Sequence, residues 1–412
     1  SRNPKLENGW VVNIFREWKM ARDESDLFKK LSDSLARNLS KYEEIELEDV
    51  TIDVEELQIR IPPTLRRILR KVKPVELAKI EFTPPRTEWI GKVVEVKLGA
   101  VVGDGGTRDK SYIIGGETTA PFYTFENPMP HPPVISMDVF DMKIHLPRVV
   151  RAHFEDVLED PPEWAKRCVE KYGAEMINLH LVSTDPYLKD TSPKDAAKVV
   201  EEVLQAVKVP LCVGGSGNPT KDIEVFEKVA EVGRGERLLI NSLNLDMDLE
   251  KATKPIKEHG HVVIAFTQMD LDKARELNRR LYDYLSRNQI VMDVNCAGIG
   301  YGLEYGFSIA ERARLAALKG DTELQQPLAS GISNAWAARE AWLEMEPRWG
   351  PKEIRGPIWE TVTALSMLLA GADYLMIIHP TSVKTVKDIV GYLLGRWEAK
   401  GASDWTSARL GG

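Results

Sequence analysis

The stretch LCVGGSGNPTKDIEVFEKVAEVG, residues 211–233, joins a short apolar run, a glycine-rich polar tip and an amphipathic helical pattern. The same order recurs eight times between Pro133 and Pro380. The eight apolar runs are Val134–Phe140, Met176–Val182, Leu211–Gly215, Leu238–Leu243, Val262–Thr267, Ile290–Val294, Leu328–Ile332 and Tyr374–Ile378. Eight strand–helix units in a stretch of this size predict an α/β protein built on a (β/α)8 TIM barrel.

The barrel is predicted over residues 133–397, and three other segments surround it. Residues 1–74 form a charged N-terminal extension, which we expect to dock on a partner. Residues 75–132 are a β connector that plugs the barrel or leads into it, and residues 398–412 are a C-terminal tail.

The connector contains two short strand patterns, Val93–Val96 and Ser111–Gly115. Gly103–Gly106 lies between them and either turns a hairpin or cradles a phosphate. No Lys-Ser or Lys-Thr pair and no clear helical pattern follow these glycines, so the hairpin turn is favoured. Two strands placed before a barrel often plug its N-terminal end.

Amphipathic patterns predict a helix after each strand. They cover Pro162–Tyr172, Pro193–Val207, Lys221–Val232, Leu249–His259, Leu271–Arg287, Phe307–Leu318, Trp336–Glu344 and Val383–Gly395. The alternation is less regular between the seventh and eighth strands. There Glu346–Ile358 has the composition of an insertion, and Glu360–Leu369 has the pattern of an extra helix.

Charge and hydropathy argue against several classes of partner and location. The formal net charge of −8 argues against nucleic acid or an anionic membrane surface as the main partner. No apolar run approaches the ~20 residues that span a bilayer. The sequence begins without an apolar signal core, so we expect a cytoplasmic protein. Cys168, Cys212 and Cys296 are far apart and odd in number, which argues against a disulfide framework.

Polar residues follow the predicted strands at the end where TIM barrels carry out their chemistry. Taken singly, each fits a cap or a loop brace better than a ligand contact, and only their convergence on one end indicates a binding mouth. Asparagine both donates and accepts hydrogen bonds, and glycine lets a bulky ligand approach the backbone. The predicted mouth residues are Asn178, Asp185, Gly214, Gly215, Ser216, Gly217, Asn218, Asn241, Ser242, Thr267, Asp293, Asn295, Ser333, Asn334 and His379.

The same strand ends lack the groups that several enzyme classes need. None of the eight runs carries the lysine of a Schiff-base aldolase. His180, Asp293 and His379 show no metal-ligand spacing, so we predict no metal site, a hydrogen-bonded His180 and a loop-bracing His379. No Cys-x-x-Cys is present to hold an iron–sulfur cluster. Cys296 has no evident paired base and is expected to be a buried thiol, so we name no catalytic residue.

A series of longer motifs runs through the chain from Thr87 to Gly395. They are Gly115-Gly-Glu-Thr, Pro121-Phe-Tyr, Asp138-Val-Phe-Asp-Met, Glu163-Trp-Ala-Lys, His180-Leu-Val-Ser-Thr-Asp-Pro, Gly214-Gly-Ser-Gly-Asn-Pro, Glu276-Leu-Asn-Arg, Gly300-Tyr-Gly-Leu-Glu-Tyr, Arg314-Leu-Ala-Ala-Leu, Ser333-Asn-Ala-Trp, Arg355-Gly-Pro-Ile-Trp-Glu and His379-Pro-Thr-Ser-Val. In number and order they closely resemble the delta, or small, subunits of the acetyl-CoA decarbonylase/synthase complex. The bacterial counterpart is the small subunit of the corrinoid/iron–sulfur protein.

The resemblance implies a role in methyl transfer. Such a subunit pairs with a large (gamma) subunit, which holds the iron–sulfur cluster and most of the site for a shared corrinoid. On its cobalt the pair accepts a methyl group from methyl-tetrahydropterin or methyl-tetrahydrofolate, and it delivers this group to the nickel cluster of acetyl-CoA synthase. This is a step of the reductive acetyl-CoA (Wood–Ljungdahl) pathway or its reverse. A methyltransferase and acetyl-CoA synthase/CO dehydrogenase are further implied partners, and stand-alone activity is not expected.

A more distant resemblance is to barrel methyltransferases that bind methyl-tetrahydrofolate through strand-end Asp and Asn residues. Gly331-Ile-Ser333-Asn334 matches their Gly-x-Ser-Asn motif, and Asn241-Ser242 and Asp293-Val-Asn295 match more loosely. In such a site Asn334 hydrogen-bonds the pterin nitrogen that loses the methyl group. Two alternatives therefore stay open: the barrel itself binds the pterin, or the subunit is mainly a scaffold of the complex.

Overall fold

The computed structural model describes Asp33 and residues 84–396. The chain divides into two units, Ser1–Phe82 and Thr83–Gly412. Apart from Asp33, the predicted docking extension at residues 1–74 lies outside the described residues. The predicted tail at residues 398–412 lies outside them as well. Both assignments stay predictions.

Eight parallel strands close into a single barrel, which confirms the predicted fold. Two connector strands, β1 (Val96–Leu98) and β2 (Tyr112–Ile114), precede the barrel strands β3 (Val134–Phe140), β4 (Met176–His180), β5 (Leu211–Gly214), β6 (Leu239–Leu243), β7 (Val262–Phe266), β8 (Ile290–Asp293), β9 (Leu328–Gly331) and β10 (Ala372–Ile377). Around the barrel each strand pairs with the next along the chain, and β10 pairs with β3 to close it. Every predicted barrel strand lies within two residues of an observed one at each end.

Helices cover the outside of the barrel. They are α1 (Arg148–Arg151), α2 (Pro161–Glu170), α3 (Pro193–Ala206), α4 (Pro219–Val232), α5 (Leu249–His259), α6 (Leu271–Leu281), α7 (Leu303–Leu318), α8 (Lys352–Ala370) and α9 (Pro380–Leu393). Several begin at a side-chain cap, because the first backbone N–H groups of a helix have no partner within it. Asp160, Ser192 and Asn218 accept such bonds, and a proline follows each of them as the first helical residue.

The helix predicted at Trp336–Glu344 is wrong. This segment forms two 3-10 turns, Ile332–Ala337 and Arg339–Ala341. The helix that returns to β10 is α8, which absorbs the predicted extra helix and part of the predicted insertion.

The reason for this error lies in the spacing of buried residues. Ala335, Ala338 and Ala341 are all buried, and a spacing of three suits the 3-10 helix with its three residues per turn. The ring of Trp336 then packs on Gly356 of α8, where an added Cβ would stand 2.4 Å from the ring. This close approach holds the segment against α8.

The two connector strands form an antiparallel pair that packs on the barrel interior. Val96, Leu98 and Ile114 are buried in one cluster with the inward-facing residues of the lower barrel. Those residues are Val134, Met176, Cys212, Leu239, Val262, Ile264, Val291, Ala329, Tyr374 and Met376. The glycine-rich stretch between β1 and β2 forms a 3-10 turn, Val102–Asp104, followed by Gly105 in the left-handed conformation.

A buried ionic network ties the connector to the barrel. Arg314 on α7 donates to Glu117 at 2.9 Å and to Asp373 of β10 at 2.5 Å. All three residues are at most 4% exposed. Burial raises the pKa of the Asp373 carboxyl well above its ordinary value, although the Arg314 charge opposes the rise. Removing the guanidinium would leave two buried carboxyls facing each other.

We expect Arg314→Met to lower the free energy of unfolding by about 3–5 kcal/mol, because it strands buried charge without a partner. Urea denaturation measures the loss. Arg279→Met is the matched control, since the pair of Arg279 with Glu323 is largely exposed on the Arg279 side. The control should show no measurable change. Equal stability of the two variants would contradict a structural role for the Arg314 network.

Candidate functional site

The carboxyl ends of the barrel strands form a polar ring above the apolar lower interior. Because side chains alternate along a strand, Asp138 faces inward like Val134, four residues before it on the same strand. The strand register places Asp138 beside Asn178, and it places His180, Gly214 and Asn241 side by side on β4, β5 and β6. Asp293 occupies the corresponding end of β8.

Asp138, Asn178 and His180 form a compact hydrogen-bonded cluster. Asn178 Nδ2 donates to Asp138 Oδ1 at 2.7 Å, and His180 Nε2 lies 3.1 Å from the same oxygen. The His180 ring stacks on Phe140, with ring centres 4.7 Å apart. Asp138 Oδ2 and Asn178 Oδ1 are buried without a hydrogen-bond partner. Two buried oxygens of the cluster thus have unused acceptor capacity.

Asp138 was missing from the predicted mouth residues, although it is the centre of this cluster. Burial raises the pKa of its carboxyl, but the neighbouring His180 and the hydrogen bond from Asn178 lower it. The lowering effects together outweigh burial, so the pKa lies below its ordinary value. The signal in the sequence was a single carboxylate within the largely apolar run Val134–Phe140.

The predicted glycine-rich tip at Gly214–Asn218 is braced from behind by Asp222. The Asp222 carboxylate accepts backbone N–H bonds from Ser216 and Gly217, each at 2.8 Å, and burial raises its pKa. Gly215 is required here, because an added Cβ would stand 2.4 Å from the Asp222 carboxyl carbon. These N–H groups are therefore already bonded, and Asn218 caps α4.

Asp293 is the second inward carboxyl of the ring and is only 7% exposed. Burial raises its pKa to about 7, although the Asn295 N–H bonds its Oδ1 at 2.7 Å. Asn295 has a positive φ of 75°, which asparagine tolerates better than most residues. Immediately after the neighbouring strand β7, Thr267 Oγ1 is buried without a partner.

The remaining predicted ring residues lie on β6 and beyond β9. Asn241 Nδ2 lies 3.6 Å from the sulfur of Met376 inside the barrel. Ser242 sits where the pairing of β6 with β7 becomes irregular. Asn334 is exposed, and its Nδ2 donates to the Cys296 carbonyl at 2.9 Å. Cys296 itself is buried, and burial raises the pKa of its thiol to about 12.

Asp185 and His379 make structural contacts away from the ring. Asp185 Oδ1 accepts the Tyr187 N–H at 2.8 Å within its own loop. His379 is 2% exposed, caps α9 through Nδ1 and packs against Trp336 and His153. Burial lowers the pKa of His379 to about 3, so its imidazole is neutral.

Glu360 of α8 holds the loop that carries His379, and the sequence analysis gave it no role. Its carboxyl accepts the backbone N–H groups of Ile378 at 2.9 Å and His379 at 3.1 Å. Burial raises the pKa of Glu360 to about 7. Within the described residues no three His, Cys, Asp or Glu side chains are grouped to hold a metal ion.

Similarity to known proteins covers most of the chain. The family model described as CO dehydrogenase/acetyl-CoA synthase delta subunit matches residues 95–346. The acetyl-CoA decarbonylase/synthase complex subunit delta of Archaeoglobus fulgidus is 50% identical over 330 residues, which cover 78% of this chain and 73% of that protein. The chain belongs to the delta subunit family.

The similarity extends further in two other members of the family. The delta subunit of Methanothermobacter thermautotrophicus is 45% identical, with 88% of this chain and 92% of that protein covered. The delta subunit of Methanopyrus kandleri is 44% identical, with 91% and 96% covered. The match thus spans nearly the whole length of these relatives.

Solved structures with a similar arrangement include dihydropteroate synthases. The Yersinia pestis enzyme in a sulfonamide drug complex is 17% identical with a TM-score of 0.46, covering 65% of this chain and 95% of the enzyme. The Thermus thermophilus enzyme with 4-aminobenzoate is also 17% identical, with a TM-score of 0.43 and coverage of 73% and 98%. This likeness carries no information about ligands. Among the described helices none is long and apolar enough to cross a bilayer.

The raised pKa of Asp293 predicts a pH dependence of stability. Because its folded-state pKa of about 7 exceeds the ordinary 3.8, its stabilising effect is complete below 3.8 and is lost as the pH rises through 7. Asp293→Asn does not titrate. Between about pH 5 and pH 8 we expect the free energy of unfolding of the unmodified chain to fall by roughly 3 kcal/mol more than that of the variant. Chemical denaturation across this pH range measures the difference in unfolding free energy. Parallel plots of unfolding free energy against pH for the two proteins would contradict the prediction.

Proposed function

We propose that this chain is the small subunit of a corrinoid/iron–sulfur methyl carrier. With a large (gamma) subunit it accepts a methyl group from methyl-tetrahydropterin or methyl-tetrahydrofolate and passes it to the nickel cluster of acetyl-CoA synthase. This places it in the reductive acetyl-CoA (Wood–Ljungdahl) pathway or its reverse. Family membership supports the assignment, since the relatives are named as subunits of the acetyl-CoA decarbonylase/synthase complex.

The observation that carries the proposal is the polar ring with its unpartnered buried oxygens. A corrinoid is edged by amide side chains, which both donate and accept hydrogen bonds. Asp138 Oδ2, Asn178 Oδ1 and Thr267 Oγ1 lack partners and fit such an edge. In this proposal Asn178, Asn241 and Thr267 hold that edge. When bound, the corrinoid supplies a cobalt ion that takes up and gives away a methyl group.

The barrel residues act by binding, by orientation and by excluding water. Carboxylates behind the loops, such as Asp222 and Glu360, hold the strand ends in place before any ligand arrives. A mouth held in this way orients a bound ligand at little entropic cost. The iron–sulfur cluster and most of the corrinoid contacts belong, in this proposal, to the large subunit. A methyltransferase and acetyl-CoA synthase/CO dehydrogenase are its further partners.

The first test is a visible absorption spectrum of anaerobically purified protein. We expect corrinoid bands when this chain is co-expressed with the large subunit and none from this chain alone. The large subunit expressed alone is the control, and its corrinoid content should be lower than that of the pair. Equal corrinoid loading of the large subunit with and without this chain would contradict a role of this chain in holding the corrinoid.

A second candidate is that the barrel itself binds the methylated pterin. One observation favours it: Asp138 and Asp293 are two buried carboxyls at the strand ends, and Asp138 lies beside Asn178. Buried carboxyl and amide groups suit the alternating donors and acceptors of a pterin ring. Asn334 lies at the rim of the same mouth, and only its Nδ2 is engaged by the Cys296 carbonyl.

We expect Asn334→Ala to lower methylation of the corrinoid at least tenfold under the second candidate, while assembly with the large subunit is retained. Stopped-flow absorbance measures methylation, and gel filtration measures assembly. Asn288→Ala is the matched control, because Asn288 is also an exposed asparagine but precedes β8 at the opposite end of the barrel. Equal rates for both variants would argue against pterin binding at this mouth.

A further inference from the structure

Helix α8 reverses the usual arrangement of an outer barrel helix, because its charged side chains are buried and apolar ones are exposed. Between Ile354 and Ala370 the only charged residues are Arg355 and Glu360, and both are buried. Arg355 donates to the carbonyl of Gly350 at 3.2 Å, and Glu360 accepts two backbone N–H groups between β10 and α9. An outer helix ordinarily turns its charged residues to water.

The outward apolar residues of α8 form one continuous stripe. Ile354, Ile358 and Leu369 are 37%, 39% and 46% exposed, and Val362 and Leu365 are partly buried. At 3.6 residues per turn, these five positions fall within an arc of about 80° around the helix. These five residues are called the α8 stripe below. A contiguous exposed apolar surface of this kind marks a site of interaction.

The helices on either side of α8 expose charged residues instead. Glu304, Glu311 and Arg312 are exposed on α7, and Lys384 and Asp388 are exposed on α9. The absence of exposed charge is therefore particular to α8 and is not a general property of this side of the barrel. Exposed helix positions accept charged residues at little cost in stability, so folding alone does not account for the α8 stripe.

The α8 stripe leads to the mouth of the barrel. Because α8 returns the chain from β9 to the start of β10, Ile354 in its first turn lies at the mouth end. Trp359 Nε1 donates to the carbonyl of Ile299 in the β8–α7 loop at 3.0 Å, and its ring centre lies 6.4 Å from that of Trp349. Trp349 is 40% exposed and Tyr301 is 63% exposed. Exposed apolar surface thus continues from the stripe onto the rim of the mouth.

The α8 stripe alone is too small for a stable protein interface. A helix of 19 residues is about 28 Å long and about 10 Å wide, so its outer face offers roughly 280 Å². Each side of a stable interface buries about 800 Å². A partner seated on the stripe must therefore also cover adjoining surface, and the rim of the mouth continues the stripe with apolar side chains.

We propose that the α8 stripe is the surface on which this chain binds the large subunit of the proposed methyl carrier. The occupant is an uncharged, apolar face of that subunit, because permanent interfaces are apolar whereas encounters with transient partners are steered by charge. A partner that holds most of a shared ligand must also lie beside the mouth, to which the stripe leads. The inference rests on the proposed function and names the face of this chain that forms the pair.

The first test compares two charged substitutions in the full-length chain. Ile358→Glu places a carboxylate in the α8 stripe. Val232→Glu is the matched control, because Val232 is 37% exposed at the end of α4. The strands that precede α4 and α8 are β5 and β9, which lie opposite each other in the ring of eight strands.

We expect Ile358→Glu to raise Kd for the large subunit at least tenfold, because binding would bury an unpaired charge. Val232→Glu should bind like the unmodified chain. Biolayer interferometry measures Kd, and thermal melting should show that both variants are folded.

The second test identifies what lies on the α8 stripe. Ile358→p-benzoylphenylalanine is co-expressed with the large subunit, the purified pair is irradiated, and mass spectrometry locates the cross-linked peptides. We expect cross-links to the large subunit from this position. Val232→p-benzoylphenylalanine is the control and should give none.

Three outcomes would overturn the inference while the proposed function stands. A cross-link from position 358 to a second copy of this chain, or to another part of the same chain, gives the stripe a different occupant. Flotation with phosphatidylcholine vesicles of the unmodified chain, but not of Ile358→Glu, assigns the stripe to a membrane surface. Equal Kd values for Ile358→Glu and Val232→Glu show that the large subunit binds elsewhere.

A different result separates the failure of the proposed function from the failure of this inference. If the unmodified chain forms no pair with the large subunit, the proposed function fails and the assignment of the α8 stripe fails with it.

Discussion

The constraint on which the rest of the structure depends is the alternation of side chains inside a closed barrel. Every second residue of each strand points at a common axis, where space is narrow and water is largely excluded. Each level of the interior must therefore be apolar or hydrogen-bonded. Here the lower level is apolar and continuous with Leu98 and Ile114 of the connector strands, whereas the upper level holds Asp138, Asn178 and Asp293.

This division makes the two ends of the barrel different in kind. The lower end is closed by hydrophobic packing, which is non-directional and tolerates small changes of shape. The upper end relies on directional hydrogen bonds that need particular partners at particular distances. Several buried carboxylates outside the ring, including Asp222 and Glu360, serve the upper end by accepting backbone N–H groups of the loops. The mouth is thus shaped by the protein itself before a ligand binds.

The relatives in the delta subunit family are named as subunits of the acetyl-CoA decarbonylase/synthase complex. The proposed role of this chain within that complex depends on the mouth of its barrel. Its polar ring mixes carboxyl, amide and imidazole groups, and the eight barrel strands carry no lysine. Such a ring suits recognition of a ligand's amide and lactam groups better than covalent chemistry.

The sequence by itself determined the eight barrel strands, most of the helices and the presence of polar residues at the strand ends, because hydrophobic periodicity and helix caps are local signals. Only the tertiary structure decided which of those residues meet. Asp138 becomes central through its contact with Asn178, forty positions further along the chain. The misassigned helix at Trp336–Glu344 likewise depends on packing against Gly356 of a later helix, which no local pattern records. Helices and strands follow from the local periodicity of hydrophobic residues along the chain. A site is made by atoms from distant segments, whose contacts exist only after the barrel has closed.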